Sequence, residues 1–406
     1  MRPHRKYVAA VLSVLASAAF VSPTPLGPQP AGAIRSASSS IPSGVHDAAS
    51  SAWREYQFDG GNTGVNPYES IIGPSNVSTL TQLWATDIGG LVGVPASPAL
   101  ANGVLYASPL DEPVLALDSG TGDILWRART ALGTTTPAVA RGVVLVGSGI
   151  YNRLYAVDAR NGRTLWSYLA GAGVFSSPTV SGGVVYFGST DGYLRVMDVR
   201  TGAQVWFDYL RDPIVGSPAL VDRVLYVATR LRRWIFALDA ATGAIVWERK
   251  LNGPAGTASS PIVAGGRVYV LMDNGTMLAL DAATGVPLWR VDGLAHEVAS
   301  ATSAIADGII YVPSREGRLW AIDAETGTIL WTSDVADELT SSVSVANGVV
   351  YVGSLGGTAY AFDAAKGDVL WTATAGGAIS TPIVADGVVY FASFDEHVYA
   401  YGLPQG

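Results

Sequence analysis

The 406-residue chain has no cysteine, which excludes structural disulfides, a lipid-modified N-terminal cysteine and covalently attached c-type haem. Histidine is nearly as scarce: there are four, two of them (His4 and His46) close to the N-terminus, so a multi-histidine metal centre is excluded. Charged residues make up 14% of the chain, and no apolar run has the length or the period of an amphipathic helix. What the chain has instead is 47 glycines, a 49% hydrophobic composition and one phrase that keeps returning.

Tryptophan recurs at Trp84, Trp126, Trp166, Trp206, Trp247, Trp289, Trp331 and Trp371, at intervals of 40 to 42 residues. Seven of these close the same phrase, of the form DAATGAIVW, which opens on Asp118, Asp158, Asp198, Asp239, Asp281, Asp323 or Asp363 and carries a central Gly. Trp84, in TQLW, lacks both the Asp and the Gly. Such a period means one supersecondary unit repeated along the chain. Between tryptophans each unit adds three short runs, such as SSPIV (Ser259 to Val263), VYV (Val268 to Val270) and MLALD (Met277 to Asp281). With the LW run these read as four strands. Asn102-Gly103, Asp307-Gly308, Asn347-Gly348 and Asp386-Gly387 mark tight hairpins between the first two, because both central residues of a type I′ turn need positive φ.

The predicted fold is therefore all-β, an eight-bladed β-propeller of four-stranded antiparallel blades. The phrase Asp is expected to accept backbone N–H bonds in its turn, the Gly to supply a left-handed position and the Trp to pack on the neighbouring blade, so these residues are architecture. The last unit runs to Gly402 without an LW strand, and the strand around Trp84 is expected to complete that blade as its outer strand. The propeller is assigned to residues 80–404 and an N-terminal arm to 53–79.

Residues 1–33 read as an export signal: Arg2, Arg5 and Lys6, an apolar stretch from Tyr7 to Val21, then a Pro-rich segment ending Ala31-Gly32-Ala33. The apolar stretch is shorter than the ~20 residues a membrane span needs. Residues 34–52, rich in Ser and Ala, read as a disordered lead-in. Removing the signal leaves 22 basic against 33 acidic residues, a net charge of −11, which argues against nucleic acid and anionic membrane surfaces as partners. The mature protein is expected to be a soluble, extracytoplasmic monomer without a membrane span.

The pattern AxDxxTGxxxW, as in Ala237 to Trp247 and Ala279 to Trp289, resembles the repeat of the pyrroloquinoline-quinone (PQQ) propeller family, and the segment from Trp53 to Trp84 is similar to the arm that precedes the first blade in exported members. The resemblance implies one fold and two kinds of activity: quinone-dependent dehydrogenases of alcohols and sugars, which also hold calcium, and cofactor-free propellers, including the lipoprotein that serves outer-membrane protein assembly. The even, compact repeats and the missing vicinal cysteine pair look more like the cofactor-free branch.

Two departures from the repeat are candidate sites. Glu297 and Asp337 fall in one column of the loops that lead into the sixth and seventh blades, with His296 and Glu338 beside them, and paired carboxylates with a His can bind a divalent cation or act as acid and base. The hairpin TRLRRW sets Arg230, Arg232, Arg233 and Trp234 where other repeats have short turns, a group suited to clamping a carboxylate, a phosphate or a quinone's acid groups. Both belong to the face framed by the interblade loops. The arm segment Asp59-Gly60-Gly61-Asn62 and the hairpin Phe394-Asp395-Glu396-His397 are metal-competent without an established ligand spacing. The leading expectation is an exported binding or scaffold module with no cofactor and a protein or small-molecule ligand on one face. The alternative is a PQQ- and calcium-dependent dehydrogenase of alcohols or sugars, and a hydrolase or lyase working through His296 is a third reading.

Overall fold

The computed structural model describes residues 52–89, 96–110, 112–252, 256–257, 259–294 and 301–404. The expected signal segment and nearly all of the lead-in lie outside this set. The described chain forms eight antiparallel four-stranded sheets, one of which gains a short fifth strand. Blade 1 comprises Ala99–Ala101, Val104–Ala107, Pro113–Asp118 and Ile124–Leu132, and the next six repeat its plan. Blade 8 takes Ile383–Ala385, Val388–Ala392 and His397–Gly402 from the end of the chain, and its outer strand is Thr81–Asp87. Trp84 lies opposite Ala400 in that pair, so the ring closes as the strand count required. Among the described residues no helix is long and apolar enough to cross a membrane.

The phrase builds the seams between blades. In Asp239–Trp247 the Asp239 carboxylate accepts the N–H groups of Ala241 (3.1 Å) and Thr242 (2.9 Å) and the Thr242 hydroxyl (2.8 Å), which shapes the turn. The Trp indole N–H then donates across the seam to a carbonyl in the next blade's phrase: Trp126 to Ala159 (3.1 Å), Trp206 to Ala240 (3.0 Å), Trp247 to Ala282 (2.8 Å). The ring lies flat on the next blade's phrase Gly. A Cβ on Gly162 would come within 2.4 Å of Trp126, and Gly162 already has φ +67°, so conformation and contact each require glycine. A Tyr in the second strand of most blades donates to the same carbonyl, as Tyr226 does to Ala282 (3.1 Å) and Tyr311 to Ala364 (3.1 Å).

The seam between blades 7 and 8 departs from this scheme because blade 8 has no phrase. Trp371 instead reaches the Leu80 carbonyl at 3.4 Å, in the turn that follows the short helix Val77–Thr79. Tyr351, the second-strand Tyr of blade 7, is fully buried with no hydrogen-bond partner for its hydroxyl among the described residues. Burial, with the Glu69 carboxylate nearby, pushes its pKa far above the ordinary tyrosine value. An unsatisfied buried hydroxyl costs about 1–3 kcal/mol, whereas a satisfied one contributes about 1 kcal/mol. Tyr351→Phe is therefore expected to raise unfolding stability by ~1 kcal/mol and Tyr311→Phe to lower it by a similar amount. Urea unfolding followed by tryptophan fluorescence checks both, and equal losses in the two variants would contradict the seam assignment.

Candidate functional site

The inner strand of each blade leaves one edge free toward the axis, and the N-terminal arm closes these edges in blade order. Leu100 N–H donates to Trp53 O (2.7 Å), Val139 to Arg54 O (2.8 Å) and Val180 to the Glu55 carboxylate (3.1 Å), in blades 1 to 3. Leu220 donates to Gly60 O (2.5 Å), Val263 to Gly61 O (2.8 Å), Ile305 to Thr63 O (2.8 Å) and Val345 to Gly64 O (2.8 Å), in blades 4 to 7. In blade 8 the Asn66 side chain donates to Val384 O at 2.7 Å. This role explains the Asp59-Gly60-Gly61-Asn62 segment. A Cβ on Gly60 or Gly61 would meet the Leu220 or Val263 carbonyl at 2.7 Å, and the Asn62 amide donates to the carbonyls of Ser217, Pro218 and Pro261.

On the interblade-loop side of the arm, the axis is ringed by hydroxyls: Ser97, Thr136, Ser177, Ser217, Ser260, Thr302, Ser342 and Thr381, all buried and one per blade. Several are linked from blade to blade, since Ser177 N–H donates to Ser217 Oγ (2.9 Å), Ser217 to Ser260 Oγ (2.8 Å), Ser260 to Thr302 Oγ1 (3.1 Å) and Thr302 to Ser342 Oγ (2.9 Å). Tyr56 extends across the channel from the blade 3 side to Thr302 Oγ1 (2.8 Å) and Ser342 Oγ (3.2 Å), and the Gln57 amide donates to Thr302 O (3.3 Å). A ligand on the axis thus meets a hydroxyl floor when it enters from the loop face. The hydroxyls that join this ladder accept backbone N–H groups and so tie neighbouring blades together. The one described histidine, His397, has Nδ1 2.7 Å from Asp395 O, away from any of these hydroxyls' partners.

The loop-face candidates are tied into their own blades. Arg230 N–H donates to Pro213 O (2.9 Å), Arg232 N–H to the Asp212 carboxylate (2.6 Å), and Leu251 N–H to Arg233 O (2.7 Å). Arg233 has φ +62°, in a turn column that holds Gly192, Gly275, Gly317 and Gly357 in four other blades and Asn152 and Glu396 in two, and Trp234 packs half-buried against Phe236 at 6.1 Å. Asp337 accepts the Ser354 hydroxyl and the Gly356 N–H (3.1 Å), pinning a hairpin of blade 7 as Asp212 pins one of blade 4, while Glu338 pairs with Arg315 at 3.6 Å. Glu297 and His296 lie outside the described residues. Among the described residues no three carboxylate or imidazole groups are placed together to hold a metal ion.

Two features of the site had no signal in single residues. Glu55 is partly buried with Asp59 nearby, and burial, against the Val180 N–H that favours the anion, pushes its carboxyl up to about 8 from 4.5. The second is a peripheral aromatic groove between blades 2 and 3. Tyr193 lies 4.9 Å from Tyr209 and 5.9 Å from Phe207, and the Arg195 guanidinium sits 4.9 Å from the Tyr193 ring and 5.5 Å from Tyr168. Arg195 is held there by Asp191 at 2.6 Å in a nearly buried pair. At Glu55 proton binding is coupled to folding. The folded state keeps the proton while the unfolded chain loses it, so stability is greatest below pH 4.5 and falls as pH rises to about 8. Glu55→Gln is expected to match the parent near pH 4 and exceed it by roughly 2–5 kcal/mol at pH 8, measured by denaturant unfolding across pH.

Comparison with known proteins agrees with this fold. Residues 110–221, 210–328 and 315–403 match the family described as outer membrane protein assembly factor BamB. BamB from Moraxella catarrhalis superposes with a TM-score of 0.67 over 80% of this chain and 98% of its own, at 22% identity. A quinohemoprotein alcohol dehydrogenase from Comamonas testosteroni superposes with a TM-score of 0.76 over 87% of this chain and 82% of its own, at 17% identity. At these identities the likeness is one of fold. A 1-butanol dehydrogenase (cytochrome c) from Thauera butanivorans is 34% identical over 79 residues, which span 20% of this chain and 11% of that protein. With three overlapping matches running from residue 110 to 403, the chain belongs to the PQQ-repeat β-propeller family described as outer membrane protein assembly factor BamB.

Proposed function

We propose that this chain is an exported, monomeric, non-catalytic binding module that holds a protein partner against the rim of blades 2 and 3, outside the cytoplasm. The observation that carries this reading is the outer strand of blade 3, Gln204–Tyr209. Val205, Phe207 and Tyr209 alternate along it and are 49%, 54% and 50% exposed. In the other blades the column of Phe207 holds Arg127, Ser167, Glu248, Arg290, Thr332, Thr372 and Ala85. An exposed aromatic stripe on a strand with a free edge suits an extended partner segment, which would add backbone bonds along the edge and fill the stripe with apolar side chains. The Arg195–Asp191 pair beneath keeps the aromatic rings fixed, so little order is lost on binding. Membership of a family described by an assembly factor favours binding over turnover.

The second reading, a quinone- and calcium-dependent alcohol or sugar dehydrogenase, is favoured by the local match to the 1-butanol dehydrogenase. Its ligand would have to enter from the loop face, near Arg230, Arg232, Arg233 and Trp234, with Glu297, Asp337 and Glu338 as the acidic set.

A photo-crosslinking residue at Phe207 or Tyr209 is expected to capture one defined protein in the producing cell's envelope, and the same residue at Val246, equally exposed on blade 4, is not. Equal capture at all three positions would overturn the rim assignment. In parallel, PQQ with calcium is expected to leave the melting temperature of the purified protein unchanged, and a stabilising shift with dye-linked alcohol oxidation would establish the second reading instead.

A further inference from the structure

The seam between blades 2 and 3 carries a second unusual feature at its other end, on the face made by the phrase turns. There Arg141, Arg160 and Arg200 surround a cleft of about 260 Å³, lined also by Asp158, Gly142, Val143 and Leu165. The three arginines come from three separate turns, and each departs from its column. Arg141 occupies the first position of the tight hairpin turn, filled in the other blades by Asn102, Gly182, Asp222, Gly265, Asp307, Asn347 and Asp386. All eight have positive φ, and Arg141, at +52°, is the one that is neither Gly, Asn nor Asp. A long side chain in that conformation is strained, and strain held in a turn points to a use for the side chain. Arg160 and Arg200 occupy the third position of the phrase, where the other five hold Gly120, Ala241, Ala283, Glu325 and Ala365.

The guanidinium of Arg141 crosses the seam. A Cβ on Gly183 of blade 3 would lie 2.5 Å from its Nη1, so the glycine leaves the room it needs. None of the three guanidinium groups makes a hydrogen bond or ion pair with a described residue; only the backbone N–H groups of Arg160 and Arg200 are engaged, by Asp158 (2.8 Å) and Asp198 (3.1 Å). Asp158 is thereby turned into its own phrase. The setting is also the cationic side of an acidic ring: residues 99–250 carry 15 basic and 12 acidic residues, residues 251–404 carry 5 and 16.

We propose that this cleft binds a phosphomonoester, on a free small molecule or on a lipid head group. Three guanidinium groups against two carboxylates, Asp158 in the lining and Asp198 within electrostatic reach of Arg141, leave one positive charge, and the three terminal oxygens of a phosphomonoester can engage several guanidinium groups at once where a carboxylate offers two. The fork geometry of arginine suits its oxygens, and the cleft is smaller than the roughly 300–1,000 Å³ of a site that encloses a drug-sized ligand, so it fits a head group. The site lies on the opposite face from the quinone reading and does not depend on the rim partner.

The test is calorimetric titration of the purified full chain with inorganic phosphate, glycerol phosphate and acetate at low salt and neutral pH. Glycerol phosphate and phosphate are expected to bind about tenfold or more tightly than acetate, and Arg160→Ala with Arg200→Ala to remove that preference. Arg141→Asn, which restores the residue type of the other turns, is expected to weaken binding while raising the melting temperature, a combination that misfolding cannot produce. Co-sedimentation with phosphatidylcholine vesicles, with and without phosphatidic acid, separates the sources: binding to phosphatidic acid alone assigns the head group, and binding to glycerol phosphate alone assigns the free ester. No preference over acetate on any probe, or unchanged binding in the double variant, overturns the proposal.

Discussion

The ring depends on one contact repeated at its seams, a tryptophan laid on a glycine with its indole N–H given to a backbone carbonyl of the next blade. Among the described residues adjacent blades share no backbone ladder, so side chains largely set both their spacing and their angle. A flat ring against a residue with no side chain sets the spacing, and one directional hydrogen bond sets the angle. The Trp126–Gly162 and Trp247–Gly285 pairs show how little room remains, since any Cβ would collide with the indole. The Asp of the phrase acts one step earlier by forming the turn that brings the Gly and the carbonyl to the seam.

The arm solves a second problem at the axis. Eight inner strands each present an edge to the channel, and unpaired edges are costly when buried and adhesive when exposed. One continuous segment from Trp53 to Asn66 satisfies them in turn, and its glycines and positive-φ residues mark where it must follow the curve. Its Tyr56 and Gln57 side chains also bond to Thr302 and Ser342 of blades 6 and 7. Specialised surface is found at the rim and in seams, and the seam between blades 2 and 3 carries both an aromatic groove at its periphery and an arginine cleft on its turn face.

The two candidate sites read from the sequence fared differently from the fold because departure from a repeat marks a difference without giving its reason. Asp337 stands out in its column by its charge, and the structure adds that its carboxylate accepts a hydroxyl and a backbone N–H across a hairpin. Arg233 looked like part of a clamp and also serves as the left-handed residue of a turn. Phe207 and Arg141 were equally visible as departures. Each lies in a column whose other members are small or polar, but only an alignment of strand register and turn φ shows that Phe207 faces outward and that Arg141 is strained.

By itself the sequence determined the number of blades, the four strands of each, the closure through Trp84 and the architectural role of the phrase. These follow from local turn chemistry and a fixed period, which need only neighbouring residues. The tertiary structure decided what depends on residues far apart in the chain. Tyr56 meets Ser342, Glu55 accepts the Val180 N–H, Arg141 reaches Gly183 and Tyr351 finds no partner among the described residues where the repeat is interrupted. Such meetings are set by the curvature of the closed ring and the path of the arm through it, and no repeat period encodes them.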